Sequence, residues 1–364
     1  MSNTPLLFII FLSQLSLNAQ SFDDFRIIYK IESSDLKDQQ SSGTCWSFAS
    51  TSFIETEAIR LNHTPISLSA MYYVAPTYLA KAEKFISTKG DSYFDAGDLT
   101  FSVLDAYQTY GAIPESVYNG MNKDDWQHDH LEMDNLLYAM VESIGTSGYG
   151  RIKPNSWKQA IQGVLHAYLG TAPATFIHNG ELHTPKSFAD KFIGIKAEDY
   201  IELTSYSDHD FYDMCSLNIP ANWDNNLYLN LPLDQFISTI DYALANGYSL
   251  AWDGDVTEPH FHMDKGIFKL DPTSEESLIT QSMRQSTFDD QTTTDDHNMH
   301  LIGKATGPDL KEYYLFKNSE GINDMKGYIF MTKNALLLKT ISVTIHKDAI
   351  PVDVTSNSKL MIDE

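Results

Sequence analysis

Apolar residues recur three and four apart through the first two thirds of the chain and alternate at strand spacing through the last third. The run LTFSVLDAYQTY, residues 99–110, follows Asp98 as a capping residue and is closed by Gly111, which predicts a helix. SWKQAIQGVLHAYL, residues 156–169, is framed in the same way by Asn155 and Gly170. Residues 120–150 and 180–230 are richer in His, Asn, Asp and Tyr and read as an insertion, or as loops around shorter helices. From Leu231 one more helix, LPLDQFISTIDYALANG, precedes five strand-like runs: YSLAW, MHLIGKA, EYYLFKN, YIFMT and KTISVTI. They predict a mostly antiparallel sheet or open barrel. The pattern therefore implies α+β with two unlike lobes, a helical lobe over about 21–230 carrying an insertion over about 120–230, and a β-rich lobe over about 231–347. Asp348 to Glu364, with Pro351, Asn357 and no clear period, reads as a tail.

Residues 1–20 stand outside this pattern. An apolar stretch from Leu6 to about Leu17 is followed by small and polar residues near Ala19, the form of a secretory signal peptide. It is shorter than the roughly 20 apolar residues of a comfortable membrane span. The expectation is a periplasmic or extracellular protein with no stable membrane insertion after cleavage. An uncleaved anchor is the alternative, since Met1 to Pro5 contains no Lys or Arg.

Charge narrows the partners. Lys and Arg number 25 against 49 Asp and Glu, a formal charge of −24, so nucleic acid and anionic surfaces are repelled. Only Cys45 and Cys215 are present, which excludes a disulfide framework, although a Cys45 to Cys215 bridge is formally open.

Around Cys45 the sequence reads DQQSSGTCWSFA, a polar run leading into an apolar helical pattern, so a helix should begin close to the cysteine. Unpaired amides and the positive end of the dipole at a helix N-terminus favour a thiolate. Gly43 would let a substrate backbone approach. A side-chain amide upstream, Gln39 or Gln40, could donate to the oxyanion formed when a carbonyl is attacked. The base would be a histidine. Among 12, His63, His128, His130 and His183 read as surface or loop residues, whereas His297 enters a predicted strand and Asn318 lies at the end of the next. Two antiparallel strands joined by a turn at Gly307 and Pro308 would set His297 beside Asn318, whose carbonyl could fix the imidazole tautomer.

The segment Gln39-x5-Cys45-Trp46 resembles the active-site segment of papain-family cysteine peptidases, in particular the bleomycin hydrolase and aminopeptidase C branch. RQSTFDDQTTTDDHNMHLIG resembles that branch's stretch around the catalytic histidine, and KNSEG resembles its Asn-Ser-Trp-Gly. DAGDLTFSVLDAYQTYGAIPES and LPLDQFISTIDYALANGYSLAWDGDV are intermediate matches, so the likeness spans about residues 35–335. The resemblance implies a papain-like two-lobed fold with the substrate in the cleft, and a catalytic set of Gln39, Cys45, His297 and Asn318. It selects Gln39 over Gln40, and implies peptide substrates, no cofactor, and an aminopeptidase habit, with endopeptidase action and a homo-oligomer left open. Three features depart from it: Thr44 replaces an Arg, Glu320 replaces the Trp after Asn-Ser, and the chain ends TSNSKLMIDE. Without that Trp the His and Asn pair should be wetter, or the carboxylate should raise the histidine pKa.

Two other readings compete. His260 and His262 on one extended face, with Asp296, His297 and His300 further along, could suit zinc. A papain-like protein that binds peptides without turning them over is the second, and Glu320 is the feature that favours it.

Overall fold

Helix α1 (Cys45–Asn62) is buried over Trp46–Thr51 and Phe53–Ile59, polar and apolar side chains alike. In this computed structural model, which describes residues 21–62, 65–122, 125–146 and 154–358, the helix is the spine between two cores. A helix buried all round must satisfy its polar groups internally. Glu55 accepts from Lys37 at 2.7 Å, from the Leu68 amide at 2.6 Å and from Ser34, while Glu57 pairs with Arg60 and the Tyr200 hydroxyl.

The helical core packs α1 with α2 (Val74–Ser87), α3 (Thr100–Tyr110), α4 (Leu131–Gly145), α5 (Pro154–Leu169) and α6 (Pro185–Phe192). Gly111 ends α3 as expected, with φ 83°, and a Cβ there would lie 2.4 Å from the Pro185 backbone. Asp98 lies one position before the cap, Leu99, and accepts from Ser102 and Trp223. Within residues 125–146, α4 is a full helix of 15 residues, longer than the short helices expected there. Met133, Leu137 and Val141 of α4 are buried, but Leu131, Leu136 and Tyr138 point outward, which blurs its apolar period in sequence.

A short hairpin, β2 (Phe176–His178) with β3 (Glu181–His183), completes this side. His128 and His130 lie in the loop before α4, as expected, but both are buried, and His183 of β3 is buried against Phe188 and Phe192 rather than at the surface. Their rings act as flat, half-apolar filler among aromatic neighbours, for example against Phe48. His63 lies outside the described residues.

The five expected strand runs form β7 (Leu250–Gly254), β10 (His297–Thr306), β11 (Glu312–Lys317), β12 (Tyr328–Thr332) and β13 (Thr340–His346), and α7 (Leu233–Ala245) covers them. The sheet is not confined to residues 231–347. It also takes in β1 (Arg26–Lys30), β4 (Tyr200–Thr204), β5 (Met214–Cys215) and β6 (Tyr228–Asn230), besides β8 (Phe261–His262) and β9 (Ile267–Phe268). The order is β5-β6-β4-β13-β7-β10-β11-β12-β9-β8, with β1 paired to the far end of β10. These extra strands are two to five residues long, and β1 is mostly exposed, so no buried alternation betrays them in sequence.

Helices α8 (Pro272–Glu275), α9 (Gln281–Asp289) and α10 (Lys333–Lys339) sit in the connections. The expected tail is structured as far as the description reaches. A 3-10 turn over Lys347–Ala349 leads to α11 (Val352–Asn357), and Ala349, Ile350 and Val354 are buried in the core of the sheet. Alternation fails there because three apolar residues anchor two short helical turns rather than one face. The candidate signal segment, residues 1–20, lies outside the described residues, as do residues 359–364. No described helix is long and apolar enough to cross a membrane.

Candidate active site

Cys45 is the first residue of α1, half-buried, and its place is fixed from below. Trp46 is fully buried and its indole N–H donates to the Ala96 carbonyl at 3.0 Å. Gly43 packs on the same alanine, where a Cβ would lie 2.6 Å from the Ala96 Cβ. That close contact alone requires glycine at this position. Thr44 is fully buried, its carbonyl accepts from the Ser47 and Phe48 amides, and its hydroxyl pairs with Ser42 at 2.6 Å. A small hydroxyl residue is thus the natural occupant where the related segments carry Arg. The Cys45 amide is one of the N-terminal N–H groups that α1 cannot satisfy internally.

The strands deliver the other groups. His297 opens β10, opposite Gly254 of β7, and Asn318 follows the last residue of β11. His297 Nε2 donates to Asn318 Oδ1 at 2.7 Å. With that nitrogen taken, the hydrogen bond between the His297 ring and Cys45 falls to Nδ1. The Asn318 amide nitrogen is turned the other way, 3.0 Å from the Met263 sulfur, which fixes the orientation of its carbonyl.

Gln39 joins the same assembly through the residue after Asn318. Ser319 donates to Gln39 Oε1 at 2.6 Å, and its carbonyl accepts from the Gln39 amide at 2.7 Å. Gln39 Nε2 gives one hydrogen to the Ser42 carbonyl at 2.9 Å, which leaves its second N–H for another acceptor. Three consecutive residues thus serve the site: Asn318 holds the base, Ser319 holds the glutamine and Glu320 faces the imidazole.

Electrostatics set the protonation states. Burial pushes the Cys45 thiol up, but the charge and hydrogen bond of His297, with the Asn298 and Trp46 amides, outweigh it and bring the thiol below its ordinary value. Burial works against a charged His297, yet Cys45, Glu320 and Asn318 together push it up to about 9. Both shifts act in the direction that favours a thiolate beside an imidazolium. Glu320 Oε1 stands 3.8 Å from His297 Nδ1. Of the two consequences expected from the missing Trp, the structure favours the raised histidine over the wetter contact. His297 is 4% exposed and Asn318 6%, and Met263 supplies cover beside Asn318.

The remaining candidates lie elsewhere. Cys215, on β5, is buried among Tyr206, Leu217, Tyr228 and Ile341, and burial with nearby Asp208 and Asp213 pushes its thiol up to about 11. Both cysteines are free, so the bridge is not made. His260 and His262 are exposed around β8, while His300 is buried against Ser52 of α1 at 2.8 Å. Among the described residues no three His, Cys, Asp or Glu side chains converge as metal ligands.

A cleft of about 600 Å³ opens beside Cys45 and His297. Its walls carry Asp98, Asp208, Asp253, Asp289, Asp295 and Asp296. Ser319, Met263, Asn298, Asp208, Asp253, Asp289 and Asp295 are not among the sequence-predicted candidates, whereas Asp98 is expected as a helix cap and Asp296 as a zinc ligand. Ser319 lies within the quoted KNSEG segment, and the signal that marks it is adjacency to Asn318; no local pattern marks Met263.

Comparison with known proteins matches residues 174–362 to the model of the Peptidase C1-like family. The chain is 22% identical to Aminopeptidase C of Streptococcus thermophilus, covering 90% of this chain and 83% of that protein. It is likewise 22% identical to Aminopeptidase G of Lactobacillus delbrueckii subsp. lactis, covering 89% and 83%. Among solved structures, that of PepW from Lactobacillus rhamnosis HN001 superposes with a TM-score of 0.72 at 19% identity, covering 95% of this chain and 88% of that one. The α+β architecture described above is thus the papain-like fold.

Proposed function

The chain belongs to the Peptidase C1-like family, and from that premise we propose that it is a cysteine-type peptidase with Cys45 as nucleophile, acting as an aminopeptidase on peptides. The observation that carries the reading is the connected set Cys45, His297, Asn318, with Gln39 held to it through Ser319. The aminopeptidase part rests on likeness to Aminopeptidases C and G over most of both chains.

Each group has one task. The Cys45 thiolate attacks the scissile carbonyl carbon, and the carbonyl π electrons move onto oxygen. That oxyanion accepts from the free Gln39 N–H and the Cys45 backbone N–H. Collapse expels the amine, which takes its proton from His297 Nδ1, and leaves a thioester on Cys45. Neutral His297 then takes a proton from water as the water adds to the thioester. Collapse breaks the C–S bond, restores the thiolate and imidazolium pair and releases the carboxylic acid, which gives its remaining proton to solvent. Asn318 keeps Nε2 occupied so that Nδ1 stays turned to the sulfur and the substrate.

The test compares wild type with Cys45→Ala on fluorogenic peptides bearing a free or an acetylated amino terminus. Loss of all turnover in Cys45→Ala, with the free amino terminus preferred by wild type, is the expected result. Undiminished turnover in Cys45→Ala would sink the nucleophile assignment, and equal cleavage of acetylated peptides would make the enzyme an endopeptidase. Export belongs to the same reading, on the strength of the apolar stretch Leu6 to Leu17. N-terminal sequencing of the mature protein should find it starting near residue 20 in an extracytoplasmic fraction; an intact Met1 in the cytosol would refute it.

A further inference from the structure

The cleft beside Cys45 has six aspartates in its walls and, among the described residues that line it, neither Lys nor Arg. Several of these carboxylates are already engaged. Asp98 accepts from Ser102 and Trp223 and lies 3.7 Å from the Lys81 ammonium. Asp296 accepts from Thr294 and shares a hydrogen bond with Asp255, which is itself paired with Lys339. Such groups explain themselves as structure.

Asp253 does not. It lies on β7, between β10 and β13, and its neighbour Trp252 occupies the core, so alternation turns Asp253 to the α1 side of the sheet. Its Oδ1 accepts from Asn298 at 2.9 Å. Its Oδ2 has no hydrogen-bond partner, although the residue is only 6% exposed. Ser342, opposite it on β13, turns its hydroxyl to Glu202 instead. A buried carboxylate oxygen without a donor is rare, because it carries its full desolvation cost without return. Asp295, in the loop entering β10, adds a second carboxylate, with one oxygen held by the Ala221 amide at 3.2 Å. Asp253 and Asp295 line the same cleft as Cys45, and burial, then the charges of Asp295, Glu202 and Cys45, raise the Asp253 pKa.

We propose that Asp253 and Asp295 form a subsite for a positively charged nitrogen of the substrate, placed beside the acyl position at Cys45. A cation there gives the orphaned Asp253 oxygen its donor and relieves the repulsion between the carboxylates. The inference rests on the peptidase reading and deepens it, since a free α-ammonium is what separates an aminopeptidase substrate from an internal peptide bond. A Lys or Arg side chain one residue before the scissile bond's acyl residue offers the same chemistry, and substrates distinguish the two sources.

The test uses Asp253→Asn and Asp295→Asn in the full chain. Three fluorogenic amides are compared: one with a free α-ammonium and an apolar side chain, its N-acetyl form, and an N-acetyl dipeptide amide whose first residue is Lys. The expected result is KM raised roughly tenfold or more by each variant for the free-amine substrate, with kcat little changed and the neutral acetylated substrate unaffected. If the Lys dipeptide alone is affected, the subsite takes a side chain. Calorimetric binding of alanylalanine amide and its N-acetyl form to Cys45→Ala gives a readout independent of turnover. A preference for the charged peptide that Asp295→Asn abolishes supports the subsite even if Cys45 proves not to be catalytic. No preference for the charged peptide, or unchanged binding and KM in both carboxamide variants, overturns it. Thermal stabilisation by Ca²⁺ alone, with none by the charged peptide, overturns it as well.

Discussion

The two cysteines separate cleanly by environment. Cys45 is half-buried at a helix N-terminus beside an imidazolium, whereas Cys215 is buried and pushed up to about 11. Iodoacetamide at about pH 6 should therefore alkylate Cys45 alone, because the thiolate is the reacting form. Peptide mapping by mass spectrometry reads the outcome, and modification of Cys215 at a comparable rate would contradict the assignment. His297 sets the other side of the profile. With its pKa near 9, it can protonate the leaving amine up to that pH and not above it, so kcat/KM should fall on an alkaline limb at about 9. Glu320 stabilises the imidazolium, so removing its charge must lower that value. Glu320→Gln should move the alkaline limb to lower pH, by up to about one unit. A limb that stays in place would mean that solvent screens the carboxylate at 3.8 Å completely.

At the scale of elements, the legible parts of the fold are helices with one regular apolar face and strands rich in apolar residues that are buried almost throughout. α3, α5 and α7 each present a repeating apolar face, the five expected strands are buried along nearly their whole length, and His297 opens one of them while Asn318 follows another. Elements that break the rule are hidden. α4 has apolar residues on both faces, β5 and β6 are only two and three residues long, and β1 is an exposed edge. Ser319 and Met263 reach the site by tertiary contact, which leaves no mark in local sequence. The C-terminal segment is illegible because its buried Ala349, Ile350 and Val354 sit on two short helical turns rather than on one face, and it gives a test. Read as a tail, it would tolerate Ile350→Ala without loss; as a buried part of the core of the sheet, with Ile350 5% exposed, it should lose about 2–5 kcal/mol. Urea denaturation measures the difference, and a shift near zero would return the segment to a tail.

For the whole molecule, charge and cleft reinforce one another. The formal charge of −24 draws cations toward the surface, and the acidic walls beside Cys45 concentrate that field where the substrate must enter. A peptide with a net positive charge should therefore be guided in and a carboxylate-rich peptide repelled, with steering acting on the association step. Salt separates these contributions, because ions screen the approach over about 10 Å at 0.1 M while leaving short contacts inside the cleft largely intact. kcat/KM for a cationic free-amine substrate should thus fall several-fold between roughly 0.01 and 0.2 M NaCl, with kcat nearly constant. The neutral acetylated substrate should show a flat profile over the same range. If both substrates respond alike, salt is acting on the fold or on the thiolate and imidazolium pair, and the acidic surface serves solubility alone.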